Sequence, residues 1–186
     1  MVPIPSLWLP ILLSAVAVFI LSALLHMVLP LHRKDFKKVA QEDQLLDALR
    51  KFDIPPGDYM APCAPTPAEC KDPAFIAKMA KGPIVLMTVA KGGPMSMGKN
   101  LAQWFLFTVA VAIVAAYVTG HALGAGASYR QVFRFAGCVT FVAYGFALMQ
   151  DSIWYMRSWK VTWLGVFDAL LYGLFSGGVF GWLWPK

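Results

Sequence analysis

Charge is scarce in this chain. Only 14% of its 186 residues are Asp, Glu, Lys or Arg, against about 25% in an ordinary globular domain. Cysteine is scarce too, and three residues, Cys63, Cys70 and Cys138, do not make a disulfide framework. Histidine occurs only at 26, 32 and 121. No HExxH, GxSxG or kinase signature is present. The stretch GPMSMGKN (93–100) puts Asn100 where a phosphate-binding loop needs Ser or Thr, so it is not a Walker A motif. RNP, zinc-finger and helix-turn-helix signatures are missing as well.

What is abundant is apolar surface. Hydrophobic residues make up 59% of the chain and aromatics 14%, with seven tryptophans. A soluble protein of this size lacks the interior volume to hide them, and lipid is the simplest solvent for them. The net charge of +6 does not point to nucleic acid, because eleven of the sixteen Lys and Arg lie in 33–99, mixed with eight of the ten acids. That pattern reads as a solvated, membrane-proximal face attracted to anionic lipid.

Four stretches are long enough to cross a bilayer: 7–29, 101–122, 129–150 and 163–184. Twenty-three helical residues rise about 34 Å, enough for a hydrocarbon core of about 30 Å. The first stretch has no basic leader, too long an apolar run and no small-x-small site after it, so it is expected to be an uncleaved anchor and not a signal peptide. Pro10 falls in its first turn, where proline is tolerated. The turn LGAGAS (123–128) is short and predicts an antiparallel pair. Trp154, Trp159, Trp163, Trp182 and Trp184 fall at the predicted span ends, as interfacial aromatics do. The expected fold is therefore all-α: a single membrane domain of four transmembrane helices, with an amphipathic cytoplasmic segment between spans one and two.

Orientation follows from the basic residues. Arg33, Lys34, Lys37, Lys38, Lys91, Lys99, Arg157 and Lys160 fall on one side, and Arg130, Arg134 and Lys186 on the other. The positive-inside rule makes the first side cytoplasmic and puts both termini outside.

The connecting segment, 30–98, is expected to cap the bundle. QEDQLLDALRKF (41–52) carries Leu45, Leu46, Leu49 and Phe52 on one face, with acids in its first turn and bases in its last, as an amphipathic helix should. IPPGDYMAPCAPTP (54–67) reads as an ordered loop or extended run. DPAFIAKMAKG (72–82) reads as a short helix with Asp72 as N-cap, Pro73 at N1 and Gly82 at C′. IVLMTVA (84–90) is too short to span, and we favour an interfacial segment over a buried strand.

Span four carries small residues every fourth position, at Gly165, Ala169, Gly173, Gly177 and Gly181. Such a stripe lets another backbone approach closely. Ala112, Ala116 and Gly120 in span two, and Gly137 and Gly145 in span three, repeat the idea. Packing inside the bundle is the reading favoured over a dimer or partner-subunit face.

Depth sorts the polar residues. His26, Gln103, Gln150, Asp151 and Asp168 gather at the cytoplasmic end, with Asp168 roughly 8 Å inside span four. Tyr117, His121, Arg130 and Arg134 gather at the other end. A bis-histidine haem is not expected, since no two of the three histidines pair at one depth, and a direct Arg134–Asp168 bridge is excluded by the same sorting. An intramembrane carboxylate is costly unless it is paired or reaches water. Asp168 is thus either a group that fixes helix register or part of a cytoplasm-facing pocket, where it and His26 relay protons or hold a small cation or polar ligand.

Cys63 and Cys70 lack CxxC spacing and are expected to be free thiols in a reducing cytoplasm. Met95 and Met97 are too few to make a copper(I) site, and no cofactor or metal is expected.

LPILLSAVAVFILSALLHMVLPLH, IPPGDYM, QDSIW and FGWLWP together resemble a group of small polytopic inner-membrane proteins of bacteria, usually described as hypothetical. The resemblance implies a bacterial inner-membrane protein and brings no activity or catalytic residue with it. The leading expectation is a non-enzymatic accessory or assembly subunit that packs through its small-residue faces. Its expected partners are the lipid bilayer, and another membrane subunit or a second copy of itself, with no nucleic acid. The alternatives are a transporter or channel component built on the His26–Asp168 pocket and, behind it, a membrane enzyme.

Overall fold

The structure, a computed structural model, describes residues 1–94 and 96–186. The chain is mostly helical. In order it forms α1 (Trp8–Ala23), α2 (Glu42–Lys51), β1 (Gly57–Ala61), α3 (Pro73–Lys81), β2 (Val85–Val89), α4 (Met97–Ala122), α5 (Tyr129–Gly145), α6 (Leu148–Trp154) and α7 (Trp159–Trp182). It divides into two compact units, Met1–Lys37 with Ser96–Lys186, and Lys38–Met95.

The first unit is a helical bundle. Four helical stretches in it are long and apolar enough to cross a membrane: Ile4–Val28, Met97–Ala122, Tyr129–Trp154 and Trp159–Trp182. The last begins four residues before the predicted 163 and ends at Trp182. Trp184 lies past the helix and donates its indole N–H to Gly124 O at 3.0 Å. Two further backbone bonds close the same end, Val2 N to Gly120 O at 2.8 Å and Gly126 N to Pro185 O at 2.9 Å. The third stretch breaks at Phe146–Ala147, between α5 and α6. α5 starts from a capping box, in which Gln131 reaches back to accept the Ser128 N–H at 3.1 Å, satisfying a donor the helix leaves unpaired.

The core has two parts. Leu7, Ile11, Ala15, Ala112, Ala115, Ala116, Val132, Ala136 and Phe180 form one, with Val2 and Trp184. Val18, Leu25, Val111, Tyr144, Ala169 and Tyr172 form the other. The tightest pairing is α5 on α7, and the small-residue stripe makes it. A Cβ on Gly173 would stand 2.7 Å from Gly137 O, one on Gly177 2.7 Å from Phe133 O, and one on Gly181 2.7 Å from a ring carbon of Tyr129. Gly165 lies under Leu148, and Ala169 lies under Gly145. All five residues are thus taken up inside the bundle, along the α5–α6 face, where glycine lets backbone meet backbone.

The α6–α7 turn is held by a buried hydroxyl pair, Ser152 Oγ to Thr162 Oγ1 at 2.6 Å. Removing one partner strands the other, whereas removing both does not. Thr162→Val should therefore lower stability by about 1 kcal/mol, the scale of interhelical hydrogen bonds in membranes. The double variant Ser152→Ala/Thr162→Val should recover most of the loss. Thermal unfolding in detergent of the two variants beside the wild type checks this, and equal destabilisation by the single and the double would refute it.

The second unit corrects two expectations. The chain is not all-α, and IVLMTVA is not a segment lying alone at an interface. β2 pairs antiparallel with β1, with Gly57 opposite Val89 and Ala61 opposite Val85. The extended run that the prolines impose around 54–67 supplies the partner strand, and the β-branched Val85, Thr88 and Val89 suit the pleat. Asp58 and Thr88 face each other across the pair and bond at 2.6 Å. α2 and α3 form as the sequence predicts. Asp72 caps α3 by accepting the Ala74 N–H at 2.8 Å, and Gly82 ends it at φ +59°, a conformation that favours glycine. Leu45, Leu46 and Phe52 of the α2 face are exposed.

Candidate functional site

α7 carries Asp168 on its inward face. The residue stands nine positions into the helix, about 13 Å along its axis from Trp159, and only 3% of it is exposed. Tyr172 and Ser176 follow at four-residue steps on the same face, both buried, as helical periodicity requires.

The histidines come from the end of α1. An α-helix would put residues 26 and 32 on different faces, since six residues turn the helix by about 240°. The chain avoids this by leaving the α-helix. Leu24–Val28 widens into a π-turn, closed by Leu29 N on Leu24 O at 2.9 Å. Leu29 is extended, as a residue before proline prefers, and Pro30–His32 makes a single 3₁₀ turn. The imidazole of His32 then stacks on that of His26, with centroids 3.9 Å apart and planes 26° from parallel. The expectation that no two histidines pair is overturned here. A face-to-face stack still cannot hold a haem iron between its rings, because both faces are turned to each other.

Both rings meet the carboxylate. His26 Nε2 lies 3.4 Å from Asp168 Oδ2 and His32 Nε2 lies 2.8 Å from the same oxygen. The second contact is close in distance but poor in direction. Among the described residues neither His32 Nε2 nor Asp168 Oδ1 has a hydrogen-bond partner, though both atoms are buried. On its other side, His32 Nδ1 lies 2.7 Å from Asp35 Oδ2. A His32 tautomer with its proton on Nδ1 donates to that carboxylate. Nε2, on the other side of the ring, stands beside the Asp168 carboxylate without a hydrogen bond among the described residues. The nearest ligand atoms of His26, His32 and Asp168 all lie within 4.8 Å of one another, a spacing that three ligands of one ion can have.

The other predicted pocket residues sit apart from this cluster. Asp151 pairs with Arg157, whose guanidinium donates to its carboxylate at 3.4 Å. Gln103 and Gln150 are exposed, and no hydrogen bond joins them to Asp168 among the described residues. Arg134 is exposed and makes no ion pair among the described residues. His121 bonds the Tyr117 carbonyl one turn earlier at 2.9 Å. Met95 lies outside the described residues. Met97 is exposed at the start of α4 and, with Phe19, Ser22, His26 and Trp104, lines an apolar groove of about 420 Å³. Trp104 anchors that groove by donating to Ser22 Oγ at 2.8 Å.

His32 and Asp35 are the site residues that the sequence reading did not place. The signal was Pro30 between the two histidines. It forbids a continuous helix there and so frees His32 to turn back.

Comparisons with protein-family models, curated proteins and solved structures gave no match.

Proposed function

We propose that the chain is a multi-pass membrane protein that binds and passes a small cation through the His26–His32–Asp168 site, as a transporter or channel component. The observation that carries this reading is the buried Asp168 carboxylate facing two histidines at one end of the bundle. Intramembrane ionisable groups that face a bundle interior are rare and mark substrate or ion pathways, proton relays, voltage sensors or counter-ions. Further polar groups continue inward. Tyr172 and Tyr144 stack edge to face at 5.2 Å; their hydroxyls and those of Thr140 and Thr119 are buried without protein partners. Buried hydroxyls in that state call for water, which is what a cation path supplies.

Placement in a bilayer is supported by the outer surface of the bundle, where Leu12, Ile20, Leu106, Val114, Leu174 and Phe175 are exposed. On an isolated soluble domain such a surface would drive aggregation. We place the protein in a bacterial inner membrane, with the histidine end at the cytoplasmic face by the positive-inside rule. The accessory-subunit reading drew on the small-residue stripe, the small size of the chain and its lack of chemistry motifs, and of these the stripe is covered by α5 and α6.

Proteoliposomes test the proposal. Wild-type vesicles carrying pH-sensitive and metal-sensitive dyes should conduct a cation down its gradient. Asp168→Asn should fall to the level of empty vesicles while keeping its folded yield. Loss of yield alone would make Asp168 a structural residue, and silence of the wild type toward every cation tried would reject transport.

A further inference from the structure

Building on that reading, we propose that His26, His32 and Asp168 form a three-ligand site for a divalent transition metal ion of the zinc kind, with Asp35 orienting His32 from outside the ligand shell. The donor set is two imidazole nitrogens and one carboxylate. Magnesium and calcium take all-oxygen shells, and copper(I) takes sulfur. Imidazole with carboxylate suits zinc and its neighbours.

The spacing fits. Ligands held about 2.0–2.1 Å from a tetrahedral ion stand about 3.3 Å from each other. His26 Nε2 and Asp168 Oδ2 are 3.4 Å apart. His32 Nε2 and the same oxygen are 2.8 Å apart, so this pair opens by about half an ångström to admit an ion. Rotation of the carboxylate, whose Oδ1 is held by no partner, provides that movement.

The contact behind the ligands fits as well. Metal-bound histidines donate their second ring N–H to a carboxylate or carbonyl, which fixes the tautomer and aims the lone pair at the ion. Asp35 does this to His32. His32 Nε2 itself makes no hydrogen bond among the described residues, although it stands 2.8 Å from Asp168 Oδ2.

Three protein ligands leave a fourth position open. Closed structural zinc sites have four, and sites that exchange water or substrate have three. His26 has 47% of its side chain exposed, so the ion is reached from that flank.

The test uses the full chain in detergent. Zn²⁺ is titrated in competition with a chromophoric chelator, and Co²⁺ is followed by its visible absorption. The wild type should bind one ion per chain, with an intense tetrahedral Co²⁺ band, and excess Mg²⁺ should not displace it. His32→Ala and Asp168→Asn should abolish the band. Asp35→Asn, a change outside the ligand set that spares the bundle, should weaken binding by about 10- to 100-fold at unchanged stoichiometry. Folded wild type that binds neither ion, or binding indifferent to all three substitutions, would overturn the site. Proton flux in vesicles without Zn²⁺ binding overturns the metal assignment and keeps the cation pathway. Zn²⁺ binding without flux keeps the metal site and rejects transport.

Discussion

Gly173→Ala should cost the protein most of its folded yield, although it adds one methyl group. That methyl would sit 2.7 Å from the Gly137 carbonyl oxygen, 3.0 Å from Phe141 Cβ and 3.3 Å from Phe141 N. Two of these three atoms are backbone, and no rotamer change moves them. α5 and α7 must separate, and the contacts of Gly177 and Gly181 below open with them. Overpacking of a close contact costs about 1–3 kcal/mol. The loss is felt fully here, because helix association in a bilayer has no hydrophobic term to offset it. Gly178→Ala is the matched control, since its Cβ would meet only the Tyr129 hydroxyl at 3.7 Å, an ordinary contact. Its stability should be unchanged or slightly raised, because alanine is the better helix former. Fluorescence-detected size exclusion and a thermal ramp on the two variants decide the matter. Equal behaviour would refute the close α5–α7 contact. A folded Gly173→Ala that sheds a bound partner would instead return the stripe to a subunit face.

That stripe was plain in the sequence because a four-residue repeat of small side chains has one structural consequence, a flat helix face. What covers the face was not, since a neighbouring span and a separate subunit offer the same apolar backbone. The four long helices were legible for a similar reason. Length and hydropathy are summed over twenty residues, and Ser128 and Gln131 announce the start of α5 locally. The strand pair was half legible. Val85, Thr88 and Val89 have the composition of a strand, but pairing with Gly57–Ala61 is a contact across the chain that no periodicity carries. The site divided along the same line. Depth along straight helices brought His26 and Asp168 to one level. His32 reaches that level only because the chain bends at a π-turn and Pro30, and straight-helix bookkeeping leaves it outside. Asp151 failed the other way. It stands at the right depth, but it follows the α5–α6 break, where the nearby Arg157 takes it.

Thiol labelling should give an all-or-none result and fix the side on which the site opens. Cys63 and Cys70 are exposed free thiols within Lys38–Met95, and the chain leaves the bundle at Lys37 and returns to it at Ser96. A hydrophilic segment between two spans lies on the side where the first span ends. Arg33, Lys34, Lys37 and Lys38 should hold that side in the cytoplasm. With Cys138 replaced by serine, a membrane-impermeant maleimide should leave intact cells unlabelled and should label both thiols in inverted vesicles. Labelling from outside would invert the topology and put the two cysteines in a compartment where a disulfide can form. The same result would move the metal site, because His26 and His32 close the end of α1 from which this segment departs. A site on the cytoplasmic face meets an ion before export or on arrival after import, whereas a site on the outer face can only capture it from outside. The direction of any vesicle flux should therefore invert together with the labelling, and a flux that keeps its direction when the thiols change sides would separate the pathway from His26, His32 and Asp168.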